Sequence, residues 1–275
     1  MTNGLSSLPI PAELPPCDGP KLNLFEHHDC EIEWIERIGW TEDMGTPNEG
    51  YVFRVKINQV EYALKVFKFY NPIDDEWAWQ PRMGDVSLDT AAYYNDPFYN
   101  ECRAYGRIRK PLKGKRKLSD VAIPCHGFLF LSERDKEYLD DNGYSLMPKV
   151  VNRSYWSYQE QTIGGIRPRA IVKDLASDDP GITGKNLRKV FNRIVAMNQH
   201  KIYNYDIRLD NFRDGKLVDF GSAMTEPDRM LDAMDDAYYQ RQMDRAMFDY
   251  MVAEEEIPNP KKIVALHPMR LRPRC

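Results

Sequence analysis

Lys65 interrupts an otherwise apolar, strand-forming run, Tyr62-Ala63-Leu64-Lys65-Val66-Phe67. A cation in that setting constrains the fold more than any other single residue. Strand side chains alternate between faces, so Ala63, Lys65 and Phe67 share one face and Tyr62, Leu64 and Val66 the other. With apolar neighbours on both faces, the ammonium either snorkels to water or meets a fixed anion. Snorkelling is the ordinary outcome for a lone lysine, so the rest of the chain decides the matter.

Three further segments bring polar groups in a fixed order. Glu101 lies three residues after Phe98 and four before Tyr105, which puts it on the aromatic face of a helix, with Lys65 as its candidate cation. The plain alternative is an exposed glutamate paired with Arg103 or Arg107. Asp206 and Asn211 are five apart, with Arg208 between them, directly after an amphipathic segment. The run Lys216-Leu-Val-Asp219-Phe-Gly221 ends a short strand eight residues beyond Asn211. An aspartate beside an asparagine offers hard oxygen ligands of the kind Mg²⁺ takes; the plain alternative is turn chemistry. Phosphoryl transfer needs a lysine, metal-binding oxygens and a carboxylate that orients the acceptor. Each piece recurs by chance, but the ordered set requires four plain alternatives to hold together.

At these residues the chain resembles the protein-kinase superfamily. That resemblance implies an α+β, protein-kinase-like bilobal fold with a small sheet-rich N-lobe and a shortened helical C-lobe. It implies ATP and Mg²⁺ as cofactors and transfer of the γ-phosphate to a Ser/Thr hydroxyl. Lys65 would bind phosphate and Glu101 would hold Lys65. Asp206 would orient the acceptor, Arg208 would stand for the catalytic-loop lysine, and Asn211 and Asp219 would hold the metal. Gly50, Val52, Ala63, Asp174 and Leu175 would line the nucleotide. More narrowly, LKVFKF, DPFYNECRAYGRI, AIPCHGF and RAIVKD are similar to fungal kinase-like proteins grouped with an inner-kinetochore subunit of the centromere complex. This implies the alternative of a pseudokinase interaction module, a kinetochore-type or chromatin-associated scaffold.

The chain departs from the kinase pattern in three places. The glycine-rich loop is replaced by Gly39-Trp-Thr-Glu-Asp-Met-Gly45 and then Gly50, with Glu42, Asp43 and Glu49 placed to repel phosphate. Asn204-Tyr205 stands where His-Arg is usual. After Gly221 only 54 residues follow, without an Ala-Pro-Glu, so the C-lobe is expected to be short.

The expected organisation is a disordered, proline-rich arm over 1–22, a kinase-like N-lobe over 23–173 with insertions at 71–95 and 133–166, a shortened C-lobe over 174–257 and a basic tail over 258–275. Within it, strands are expected between 31 and 69 with a turn at Asn58-Gln59. A helix capped by Asp96-Pro97 should run to Arg109, and further helices should cover 184–200 and 229–254. No apolar run is long enough to cross a membrane. The opening residues do not read as a secretory signal. Five cysteines without C-x-x-C spacing fit a reducing intracellular compartment, cytoplasmic or nuclear. The balance of 38 basic and 42 acidic residues gives no reason for wholesale nucleic-acid binding. The seven basic residues from Arg107 to Lys117 are a candidate localisation or DNA-backbone patch, with a solvated loop as the plain alternative.

Overall fold

A computed structural model of the chain describes residues 11, 13–15, 18–39, 49–116 and 118–265. It is an α+β arrangement around a five-stranded antiparallel sheet. The strands are β1 (Ile32–Ile38), β2 (Gly50–Ile57), β3 (Val60–Phe67), β4 (Cys125–Phe130) and β5 (Arg169–Asp174), in the order β1-β2-β3-β5-β4. Asn58 and Gln59 close the β2–β3 hairpin with φ of 48° and 66°, the left-handed pair a two-residue hairpin turn requires.

Register sorts the side chains onto two faces. Lys65 lies opposite Val52 and Ile171, and Ala63 opposite Lys173. Phe67, Phe128, Phe130 and Ile171 on that face join a core shared with the helices. Phe53, Val55, Tyr62, Leu64, Val66, Ala170 and Val172 on the other face form a second core with Phe25, Leu139 and Tyr155. The alternation expected around Lys65 is therefore present.

Helix α3 (Pro97–Arg109) begins and ends as expected. The Asp96 side chain accepts from Phe98 N–H, and Pro97 occupies the first turn, where no amide donor is needed. Ahead of it, the 71–95 segment, expected as an insertion, holds α1 (Glu76–Met83) and α2 (Leu88–Asn95). Pro81 inside α1 and the shortness of both helices hid any helical period. Trp79 anchors the segment by burial and by donating from Nε1 to Pro72 C=O at 2.7 Å. The 133–166 segment likewise holds α4 (Glu133–Asp141), closed by a Ser132/Asp135 capping box, and α5 (Arg153–Gln159), capped by Asn152.

Beyond the sheet come α6 (Leu187–Gln199), β6 (Ile202–Tyr203), β7 (Phe212–Arg213), β8 (Lys216–Leu217) and β9 (Met224–Thr225). The single helix expected over 229–254 is three pieces: α7 (Arg229–Asp232), α8 (Ala237–Gln240) and α9 (Met243–Glu254). Asp244, in the first turn of α9, is buried.

The arm expected over 1–22 is corrected where it is described. Leu14 and Leu22 are buried in the main core, and the Lys21 backbone packs so closely on α3 that a Cβ on Gly106 would meet it at 2.6 Å. Residues 1–10, 12, 16 and 17 lie outside the described residues, as do 40–48 of the altered glycine loop and 266–275 of the basic tail. No helix among the described residues is long and apolar enough to cross a membrane.

Candidate functional site

The Lys65 ammonium does not snorkel. It is 5 % exposed and donates to Glu101 Oε2 at 2.9 Å and to Asp219 Oδ1 at 2.6 Å. Glu49 Oε2 stands 3.5 Å away. Burial alone would lower its pKa, but Asp219, Glu101 and Glu49 more than offset this and keep it charged well above the usual lysine range.

Glu101 is fully buried and serves two cations. Its second oxygen takes a hydrogen bond from Lys173 Nζ, which also donates to Val218 C=O at 2.6 Å. Lys173 is the residue the sequence reading missed. It sits in the buried strand Arg169-Ala-Ile-Val-Lys-Asp174, so the argument that singled out Lys65 applies to it equally.

Burial works against the charge of Asp219. Lys65 and Lys173, with the Gly221 N–H bonded to Oδ1 at 2.9 Å, outweigh it and hold the carboxyl below the usual carboxylate range. Glu49 goes the other way. Burial, with Asp219 and Glu101 adding to it against the pull of Lys65, pushes its carboxyl up to about 7. That carboxylate lies directly over the Asp219-Phe220-Gly221 turn, and a Cβ on Gly221 would run into Glu49 Oε2.

The loop between β6 and β7 brings Asp206 and Asn211 together. Asn211 Nδ2 donates to the Asp206 carbonyl at 2.9 Å and to its Oδ2 at 2.6 Å. Arg208 Nε lies 3.2 Å from Asp206 Oδ1. Asp244 fixes this loop from below. Its oxygens accept from Asn204 N–H at 3.0 Å, Tyr205 N–H at 2.8 Å and Asn198 Nδ2 at 2.6 Å. They hold Tyr205 at a φ of 60°, a conformation a bulky residue adopts only when its surroundings enforce it. Asn204 Nδ2 donates to Asp219 C=O at 3.1 Å and ties the two loops together. No sequence signal marked Asp244, because its partners lie some 40 residues upstream.

Gly50, Val52 and Ala63 share the Lys65 face of the sheet and are half-buried at its open end. Asp174 is occupied elsewhere: its N–H donates to Pro124 C=O at 2.9 Å and its carboxylate meets His126 Nε2 at 2.6 Å. Leu175 is exposed at the end of β5. No cluster of three or more His, Cys, Asp or Glu poised to hold a metal occurs among the described residues.

A Mg²⁺–triphosphate fits this arrangement poorly. The space beside Lys65 and over Gly221 is filled by the Glu49 carboxyl, which would have to move for a phosphate to enter there. Asp219 Oδ1 is likewise already bonded to Lys65 and Gly221.

A family model described as kinetochore Sim4 complex subunit FTA2 matches residues 10–224. No curated protein matches the chain.

Proposed function

Because this chain belongs to the kinetochore Sim4 complex subunit FTA2 family, we propose that it acts as a non-catalytic protein scaffold of a nuclear kinetochore complex. Its framework is a protein-kinase-like one in which a sheet-rich lobe (23–173) and a short helical lobe (174–257) are locked together. The single observation that carries this reading is the internal neutralisation of Lys65. Three of the chain's own carboxylates surround it, and Glu49 occupies the phosphate position. A second support is the return of the chain into β9 three residues after Gly221, which omits the long segment on which a peptide substrate would dock.

The test is thermal unfolding of the purified chain with ATP, with and without Mg²⁺, beside Asp219→Ala. The expected result is no ligand-dependent shift, together with recovery of the chain from cells in a complex with other kinetochore subunits. Ligand at 100 times its dissociation constant adds about 2.7 kcal/mol, a rise of several degrees. A Mg²⁺-dependent rise lost in Asp219→Ala would overturn the reading.

One observation favours a second reading, an ATP-dependent phosphotransferase: the Asp206–Asn211 pair and the Lys65–Glu101 pair are both formed. Lys65 would then hold ATP beside Gly50, Val52, Ala63, Asp174 and Leu175, with Mg²⁺ on Asn211 and Asp219. Asp206 would face a Ser/Thr hydroxyl, with Arg208 beside it. Loss of phosphotransfer in Asp206→Ala, with nucleotide affinity intact, distinguishes this reading from a scaffold.

A further inference from the structure

The loop after α3 concentrates charge of one sign. Arg107, Arg109, Lys110, Lys113, Lys115 and Arg116 fall within ten residues that contain no acid. Such a run is usually a solvated coil, but here its backbone is pinned. Leu112 N–H donates to Nδ1 of the fully buried His200 at 2.9 Å, and Nε2 of the same ring meets Arg116 C=O. Nδ1 accepts, so the imidazole is neutral and its Nε2–H is the donor to that carbonyl. At the start of the loop Arg107 donates to Glu226 C=O at 2.8 Å and Arg109 to His126 C=O at 3.0 Å.

Lys110, Lys113, Lys115 and Arg116 are all exposed and form no ion pair among the described residues. Lys201, next to His200, extends the cationic surface. With Arg241 it flanks Glu226, at 3.5 Å and 2.9 Å, so two cations share one carboxylate.

Two features narrow what this surface can bind. None of the exposed large apolar side chains lies in 107–116, whereas protein interfaces are anchored by buried aromatic and aliphatic groups and are poor in lysine. The loop also contains no aromatic residue, and unpaired bases need one to stack on. What remains is a preformed cluster of point charges, which suits a regular array of phosphates. We propose that residues 110–116, held in place by His200, form a site for the phosphate backbone of duplex DNA, bound without reading its sequence. Neither the scaffold reading nor the nucleotide reading of the Lys65 cleft is needed for it.

The test is fluorescence anisotropy of the full chain with labelled 20-base-pair DNA duplexes of two unrelated sequences, between 50 and 200 mM salt. Both duplexes should bind alike, with affinity falling steeply as salt rises. The fourfold variant Lys110→Ala, Lys113→Ala, Lys115→Ala, Arg116→Ala should reduce the magnitude of the slope of log K against log salt by about 3.6, since each phosphate contact contributes roughly 0.9. Its exposed positions should leave the melting temperature unchanged, and Lys110→Arg, Lys113→Arg, Lys115→Arg should bind like the native chain. The proposal is overturned by an absence of binding at 50 mM salt or by an unchanged slope in the fourfold variant. Competition by polyglutamate as effective as that by unlabelled duplex would also overturn it, since that would indicate an acidic protein partner.

Discussion

The two faces of the five-stranded sheet are made by the same strands and solve opposite problems. One face buries Phe53, Val55, Leu64, Val66 and Val172 against other apolar groups, and hydrophobic transfer is sufficient reason for it. The other buries Lys65 and Lys173 on the same strands, with Glu101 and Asp219 supplied from 36 and 154 residues away relative to Lys65. Desolvated charges are tolerable only when paired and hydrogen-bonded together. The apolar face therefore depends on shape, and the charged face depends on α3 and the Asp219 turn arriving in register.

The largest expected effect breaks the charged face. Glu101→Ala leaves two buried ammonium groups without their shared carboxylate, and should cost about 3–5 kcal/mol or more in urea unfolding. Leu64→Ala, at the equivalent depth on the apolar face, should cost about 3 kcal/mol through lost transfer energy and a cavity. If the alanine at 101 proves the milder of the two, the charged face is not held by pairing.

A smaller effect separates the faces by pH. Glu49 titrates near 7 in the folded chain against 4.5 as a free side chain. Between those values the folded state holds more proton, so stability falls as pH rises. Glu49→Gln should match the native melting temperature near pH 4.5 and exceed it progressively up to pH 7.5. A constant difference across that range would remove Glu49 from the Lys65 cluster.

The smallest effect lies at the hairpin that joins the two strands. Gln59→Gly should stabilise by about 0.5–1 kcal/mol, since Gln59 carries a φ of 66° that glycine adopts without strain. Chemical denaturation resolves such a gain, and a loss there would mean that the Gln59 side chain is itself a contact.

Sequence made part of this legible. The alternation around Lys65 and the Asp96-Pro97 helix start follow from local period and capping, which need no distant partner. The pairing of Lys65 with Glu101 could be inferred because each was an unlikely charge in an apolar setting. What stayed hidden depends on remote closure. The eight-residue helices α1 and α2 carry too little periodicity to register, and α9 is separated from its neighbours so that Asp244 can accept two loop amides. Lys173 was within reach of the same reasoning as Lys65 but was absorbed into the strand around it. The expected kinetochore link follows from family membership, whereas the ATP and Mg²⁺ expectations rest on residues that the chain pairs among themselves.

Helix α3 carries a second buried charge two residues beyond Glu101. Arg103 pairs with Asp228 at 2.8 Å and reaches the carbonyls of Thr225 and Pro227. One turn of helix thus grips the sheet through Glu101 and the segment after β9 through Arg103. In mechanical terms α3 is a tie rod. It joins the two through three buried ion pairs, Lys65–Glu101, Lys173–Glu101 and Arg103–Asp228. Separating the sheet from the residues that follow β9 would therefore unpair buried charges of both signs at once.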